Sequence, residues 1–103
     1  MKYRVTFAPE ARDDYDALPA RIRAEVKDGI NQPLVRQPMQ VSRGRIKRLR
    51  GTRKPQYRLR SGDVRVFYDV RQDEVEVLGI VEKAQASAWL RRSGVDDEEN
   101  SIS

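Results

Sequence analysis

Apolar and polar residues alternate at the N-terminus of the chain, with Tyr3, Val5 and Phe7 set against Lys2, Arg4 and Thr6. Period-two alternation predicts a strand with one face in a core. Pro9 then stands where a helix can begin, because its missing N–H is not needed in the first turn. Ala11, Tyr15 and Leu18 recur at helical spacing, with Asp13, Asp14 and Asp16 on the water side. Pro19 ends that helix and starts another, striped by Ile22, Val26 and Ile30. The pair reads as an antiparallel helical hairpin packed on a sheet.

From Asn31 to Arg43 the chain reads as a loop, with Pro33 and Pro38 breaking regular structure. Arg45 to Arg50 is a short strand carrying Ile46 and Leu49. Gln56 to Arg60 and Val64 to Arg71 form a hairpin around Ser61, Gly62 and Asp63. Glu74 to Glu82 is the last long strand, with Val75, Val77, Gly79 and Val81 on one side and Leu78 and Ile80 on the other. Apolar residues on both sides predict a central strand covered on both faces. A final helix spans about Ala84 to Arg92, docked by Trp89 or Leu90. The order predicts an α+β architecture: an N-terminal strand, a two-helix hairpin, a twisted antiparallel sheet and a C-terminal helix, with the helices on one face.

Charge changes the picture at the hairpin. Ten Lys or Arg residues fall between Arg43 and Arg65, against the single acid Asp63. Arg58 and Arg60 alternate with Tyr57 and Leu59, so a folded sheet holds guanidinium groups on its outer face. A fixed array of positive charge suits a phosphate backbone. Asp96, Asp97, Glu98 and Glu99 carry four of the 16 acids, so residues 1–95 hold 21 cations against 12 acids, a net +9. The expected division is a domain over 1–92 and a disordered acidic tail over 93–103.

The chain has neither cysteine nor histidine. That removes disulfides, thiolate nucleophiles, histidine triads and zinc sites built from Cys and His. Acid–base chemistry falls to Lys, Arg, Tyr, Asp or Glu. No apolar run approaches the ~20 residues that span a bilayer, no secretion signal is evident, and a cytoplasmic location is expected.

The hairpin carries a resemblance. Ile46-Lys47-Arg48-Leu49-Arg50-Gly51, followed by Tyr57-Arg58-Leu59-Arg60-Ser61-Gly62-Asp63-Val64-Arg65-Val66-Phe67-Tyr68, resembles the RelE/ParE toxin superfamily. The order of elements agrees from about Met1 to Leu90. The resemblance implies the toxin of a type II toxin–antitoxin pair, with the RelE branch favoured. That branch enters the ribosomal A site and cuts messenger RNA by attack of the 2′-hydroxyl on the neighbouring phosphate, without metal or other cofactor. The ParE branch instead inhibits DNA gyrase, and a weakened toxin that only binds antitoxin is a further alternative. A cognate antitoxin, the ribosome and messenger RNA are the implied partners; no membrane and no small-molecule cofactor is implied.

Carried over by position, Arg65 matches the phosphate-stabilising arginine of the second hairpin arm. Arg58 and Arg60 match basic residues, often lysines, on the first arm. Lys47, Arg48, Arg50, Arg53 and Lys54 are the implied RNA-binding cations. The C-terminal part departs from the pattern. Where RelE-type enzymes place an arginine and then a tyrosine acting as general base, this chain offers Lys83 and then Trp89 or Leu90. Lys83 is therefore the candidate replacement for the missing catalytic group, and Trp89 reads as a core anchor.

Overall fold

A computed structural model describes residues 2–96. Strand β1 (Arg4–Phe7) leads into helices α1 (Pro9–Asp16) and α2 (Ala20–Gly29). Short strands β2 (Ile46–Arg48) and β3 (Thr52–Lys54) precede the hairpin β4 (Tyr57–Ser61) and β5 (Val64–Arg71). Strand β6 (Glu74–Glu82), a 3-10 turn (Lys83–Gln85), helix α3 (Ala86–Ser93) and strand β7 (Val95–Asp96) complete the order. The main sheet runs β1-β6-β5-β4-β2, so β6 is interior, as its two-sided apolar pattern predicts. Among the described residues no helix is long and apolar enough to cross a membrane.

The α+β architecture follows the pattern, but four details differ from it. First, β1 pairs with β6 in parallel, Val5 beside Val75 and Phe7 beside Val77, so the sheet is mixed rather than wholly antiparallel. The helical hairpin between these strands is the crossover that a parallel pair requires. Second, α2 does not stop at Ile30. It continues as one wide π-type turn over Ile30–Leu34. Pro33 lacks an N–H and its ring crowds the carbonyl four residues back, and widening the turn accommodates both without ending the helix. Leu34 is thereby carried into the core, fully buried.

Third, β6 contains a bulge. Phe67 pairs with Gly79 and Tyr68 with Val77, leaving Leu78 as the extra residue. Val75, Val77 and Ile80 therefore share the core beneath α1 and α2, although simple alternation sets Ile80 on the opposite side. Asp14 on α1 accepts the Ile80 backbone N–H at 3.1 Å beside the bulge. Fourth, α3 covers the opposite face from α1 and α2. Trp89, 4% exposed, stacks on Phe67 with ring centroids 4.7 Å apart and planes 2° from parallel. Only glycine fits at position 79, because a Cβ there would overlap the indole ring.

Beyond α3, Val95 and Asp96 pair antiparallel with Lys54 and Thr52. The expected boundary after Arg92 falls within α3, one residue before its last. The acids Asp97, Glu98 and Glu99 lie outside the described residues.

Gly79→Ala is expected to expel Trp89 from its seat and lower stability by about 1–3 kcal/mol, the usual cost of overpacking. Urea denaturation followed by tryptophan fluorescence checks this; an unchanged midpoint would mean that α3 does not depend on the stack.

Candidate nucleic-acid interface

Cross-strand register decides which cations meet. Lys47 lies opposite Arg58, Arg58 opposite Phe67, and Arg60 opposite Arg65. Directly opposed residues share a face, so Lys47, Arg58, Arg60 and Arg65 all lie on the face away from α1 and α2. The other face of the same strands, with Leu59, Val66 and Ile80, is core. Alternation on β4 and β5 thus divides one hairpin into an apolar side and a cationic side.

The three arginines are held differently. Arg65 is only 7% exposed, and its Nη1 donates to the carbonyl oxygens of Gly62 at 2.9 Å and Val64 at 3.2 Å. It clamps the β4–β5 turn, where Gly62 adopts a positive φ of 59°, and it brings a charge to the floor of the site. Arg60 is exposed. Arg58 lies between these extremes, with its Nε buried and without a hydrogen-bond partner. Burial lowers the Arg58 pKa from its ordinary value, and the neighbouring Arg65 and Arg60 charges lower it further. Arginine nevertheless stays charged in proteins. Among the described residues the ion pairs are Arg4–Asp73 and Arg12–Asp16, so no carboxylate pairs with this cluster. Crowded, half-buried guanidinium groups without a counter-charge form a site that attracts an anion.

The remaining predicted cations distribute around it. Lys83 is exposed at the start of the 3-10 turn, and its backbone N–H donates to the Asp63 backbone carbonyl at 2.7 Å, which fastens it beside the hairpin turn. It lines a shallow cavity with Asp63, Glu82 and Ala84. Arg50 is exposed in the turn before β3, and Arg53 and Lys54 are exposed on β3, in the small two-stranded sheet with β7 rather than the main one. Arg48 does not join the cluster: it is opposite Tyr57, and its guanidinium lies 5.0 Å from that ring's centroid. One cation was missed as a site residue. Arg45, whose carbonyl accepts the Arg60 N–H at 2.8 Å, sits immediately beside the cluster across the β2–β4 edge. Nothing in periodicity could have paired 45 with 60, because that depends on register.

A second polar system braces the far end of the hairpin. Asp69 Oδ1 accepts the Gln56 backbone N–H at 2.8 Å, while Gln56 Oε1 accepts the Val70 N–H at 2.9 Å. Burial raises the Asp69 pKa, opposed by that backbone N–H and by Lys54. Tyr68, fully buried, donates to the Pro38 carbonyl at 2.6 Å, and burial raises its pKa as well. Among the described residues no cluster of acids is arranged to hold a metal ion.

The family profile for the ParE toxin of type II toxin–antitoxin systems matches residues 5–86. The chain belongs to the ParE toxin family, within the RelE/ParE superfamily. Its fold agrees with solved structures. The RelBE2 toxin–antitoxin complex of Mycobacterium tuberculosis matches with a TM-score of 0.66 and 31% identity, over 80% of this chain and 99% of that one. The RelE–RelB complex of Pyrococcus horikoshii OT3 gives 0.66 at 24% identity, over 82% and 99%. A free, doubly arginine-to-alanine mutant RelE of Escherichia coli gives 0.53 at 17% identity, over 90% and 99%. Among curated proteins no sequence matches significantly.

For this toxin the geometry separates binding from folding. Arg65→Ala is expected to remove two charged hydrogen bonds, one of them fully buried, and lower stability by about 1.5–3 kcal/mol. Arg58→Ala, which relieves like-charge crowding, is expected to leave stability unchanged or slightly raised. Parallel urea titrations check the contrast; equal losses would contradict it.

Asp69 supplies a pH test. An acid with a raised folded pKa binds its proton more tightly in the folded state. Its contribution to stability is therefore full below the ordinary value of 3.8 and is lost as pH rises through the folded pKa. Asp69→Asn keeps an acceptor for the Gln56 N–H and removes this loss. The variant is expected to be more stable than the parent at pH 7, with the advantage vanishing below about pH 3.8; thermal melts across that range check it.

Proposed function

We propose that this toxin is a ribosome-dependent messenger RNA endonuclease, acting in the cytoplasm within the ribosomal A site. The observation that carries the reading is the convergence of Arg58, Arg60 and Arg65 on one sheet face, without a paired carboxylate among the described residues and with Lys83 fastened at its edge. In the reaction the RNA 2′-hydroxyl gives its proton to solvent water as its oxygen attacks the adjacent phosphorus; an O2′–P bond forms and the P–O5′ bond breaks. The products are a 2′,3′-cyclic phosphate and a 5′-hydroxyl. Arg58 and Arg60 contact the phosphate and stabilise the charge that develops on its oxygens. Arg65, held by backbone carbonyls, fixes the turn that carries them and adds positive potential from below.

Lys83 gives a proton to the departing 5′-oxygen, the part that general acid catalysis requires. Lys47 on the same face, together with Arg50, Arg53 and Lys54, steers the RNA backbone into register. Arg48, lying over Tyr57 on the opposite face, takes no part in this path. The 31% identity to the toxin of a RelBE2 complex supports the RelE-type reading. The same complexes support a cognate antitoxin as partner, one that masks this cationic face.

A second reading, inhibition of DNA gyrase without RNA cleavage, is favoured by the match to the ParE toxin profile. It is also favoured by Trp89, which is buried against Phe67 and unavailable for proton transfer.

Purified toxin added to programmed ribosomes is expected to generate new messenger RNA 5′ ends within A-site codons. Arg58→Ala is expected to reduce that cleavage by about 100-fold, the typical cost of losing one donor to a developing anion. A gyrase supercoiling assay runs beside it. Inhibited supercoiling with intact messenger RNA would overturn the nuclease reading in favour of the second.

A further inference from the structure

The cationic surface does not end at the arginine cluster. Across the β2 edge, Gln32, Pro33, Arg36, Gln37 and Arg45 line an open groove of about 530 Å³. The π-type turn creates one wall: by continuing α2 through Pro33 to Leu34, it sets Gln32, Arg36 and Gln37 beside the segment that enters β2. Arg45 forms the other wall. Its backbone joins Arg60 through the Arg60 N–H to Arg45 carbonyl bond of 2.8 Å, so groove and cluster are neighbours with only an interstrand spacing between their backbones.

The lining identifies the ligand. Arg36, Gln37 and Arg45 are exposed, and neither arginine belongs to the ion pairs found among the described residues. Two unpaired guanidinium groups suit phosphate. The amides of Gln32 and Gln37 each present a donor and an acceptor, the pairing that reads an unstacked base edge. Pro33 adds a flat apolar patch between them. The groove is too polar to receive the apolar face of an amphipathic helix, and no acid is among the residues that line it.

We propose that this groove is a second nucleotide subsite, which holds the messenger RNA nucleotide next to the one at Arg58 and Arg60. This rests on the RNA-cleaving reading and extends it: phosphate is gripped by Arg36 and Arg45, and base identity is read by Gln32 and Gln37. The subsite contributes sequence preference to the toxin, while the arginine cluster acts on phosphates of any sequence.

The test compares RNA dinucleotides with unstructured RNA pentamers, with binding measured by fluorescence anisotropy across a salt series. In the parent toxin, pentamers are expected to bind more tightly than dinucleotides. Arg36→Gln with Arg45→Gln is expected to weaken pentamer binding about tenfold and to flatten its salt dependence by about 1.4 in log–log slope, ~0.7 for each lost phosphate contact. Dinucleotide binding is expected to be unchanged. Gln32→Ala with Gln37→Ala is expected to change the ratio of affinities for oligo-A and oligo-U with no change in slope. Thermal melts confirm folding, since these exposed side chains support no contact in the core.

Pentamer binding that survives the double arginine change would overturn the subsite while leaving the cluster's role intact. Dinucleotide and pentamer binding lost together in Arg58→Ala, with no added loss from Arg36→Gln and Arg45→Gln, would place all recognition at the cluster and overturn it too. Variants that keep RNA affinity but lose affinity for an acidic peptide would assign the groove to a protein partner, against the proposal.

Discussion

Everything distinctive about this toxin depends on holding like charges together on a sheet, with no carboxylate paired to them among the described residues. Two arrangements make that tolerable. The core side of β2, β4, β5 and β6 is a continuous apolar layer under α1 and α2, from Ile46 through Leu59 and Val66 to Ile80, which supplies the burial that fixes the hairpin. On the charged side, the most enclosed guanidinium, Arg65, is satisfied by main-chain carbonyls rather than by a carboxylate. A carboxylate partner would have neutralised the site; carbonyls satisfy the donors and leave the charge in place. The consequence is a surface with positive potential built into its foundations rather than carried on flexible lysines.

The opposite end of that face is closed by packing. Trp89 lies on Phe67 over Gly79, so α3 packs on the outer face at Phe67, while Arg60 at the hairpin-turn end stays exposed. The stack gives position 89, one of the two places where the resemblance puts a family tyrosine, to packing. In this chain the position secures the C-terminal helix, and proton transfer in the proposed mechanism falls to Lys83, at the mouth of the hairpin turn.

Much of this was legible in the residues. Alternation gave the strands, the 3.6-residue stripe gave the helical hairpin, and the two-sided apolar pattern of Val75 to Val81 marked the interior strand. The family resemblance rested on the hairpin, and the profile match over residues 5–86 agrees with it. What escaped was register and everything that follows from register. The bulge at Leu78 moves Ile80 to the core, and no local signal announces a bulge when glycine is its neighbour for a different reason. Pro33 reads as a helix breaker because propensity takes no account of a π-type turn. Arg48 and Lys47 are adjacent in sequence and lie on opposite faces, and Arg45 reaches Arg60 only through pairing. Arg65 stood out by its position in a motif, yet its burial and its two carbonyl acceptors are tertiary facts, and they are why the proposed mechanism gives it a supporting part.

The central claim is that Arg58 and Arg60 form the surface on which an RNA phosphate comes to rest. Arginine Nε–Hε resonances in nitrogen-15 NMR spectra, followed while a short non-cleavable RNA is titrated in, test it most directly. The account predicts the largest shifts at Arg58 and Arg60, with a small response at Arg65, whose guanidinium is already engaged. Saturation of the RNA with those two resonances unmoved would contradict it.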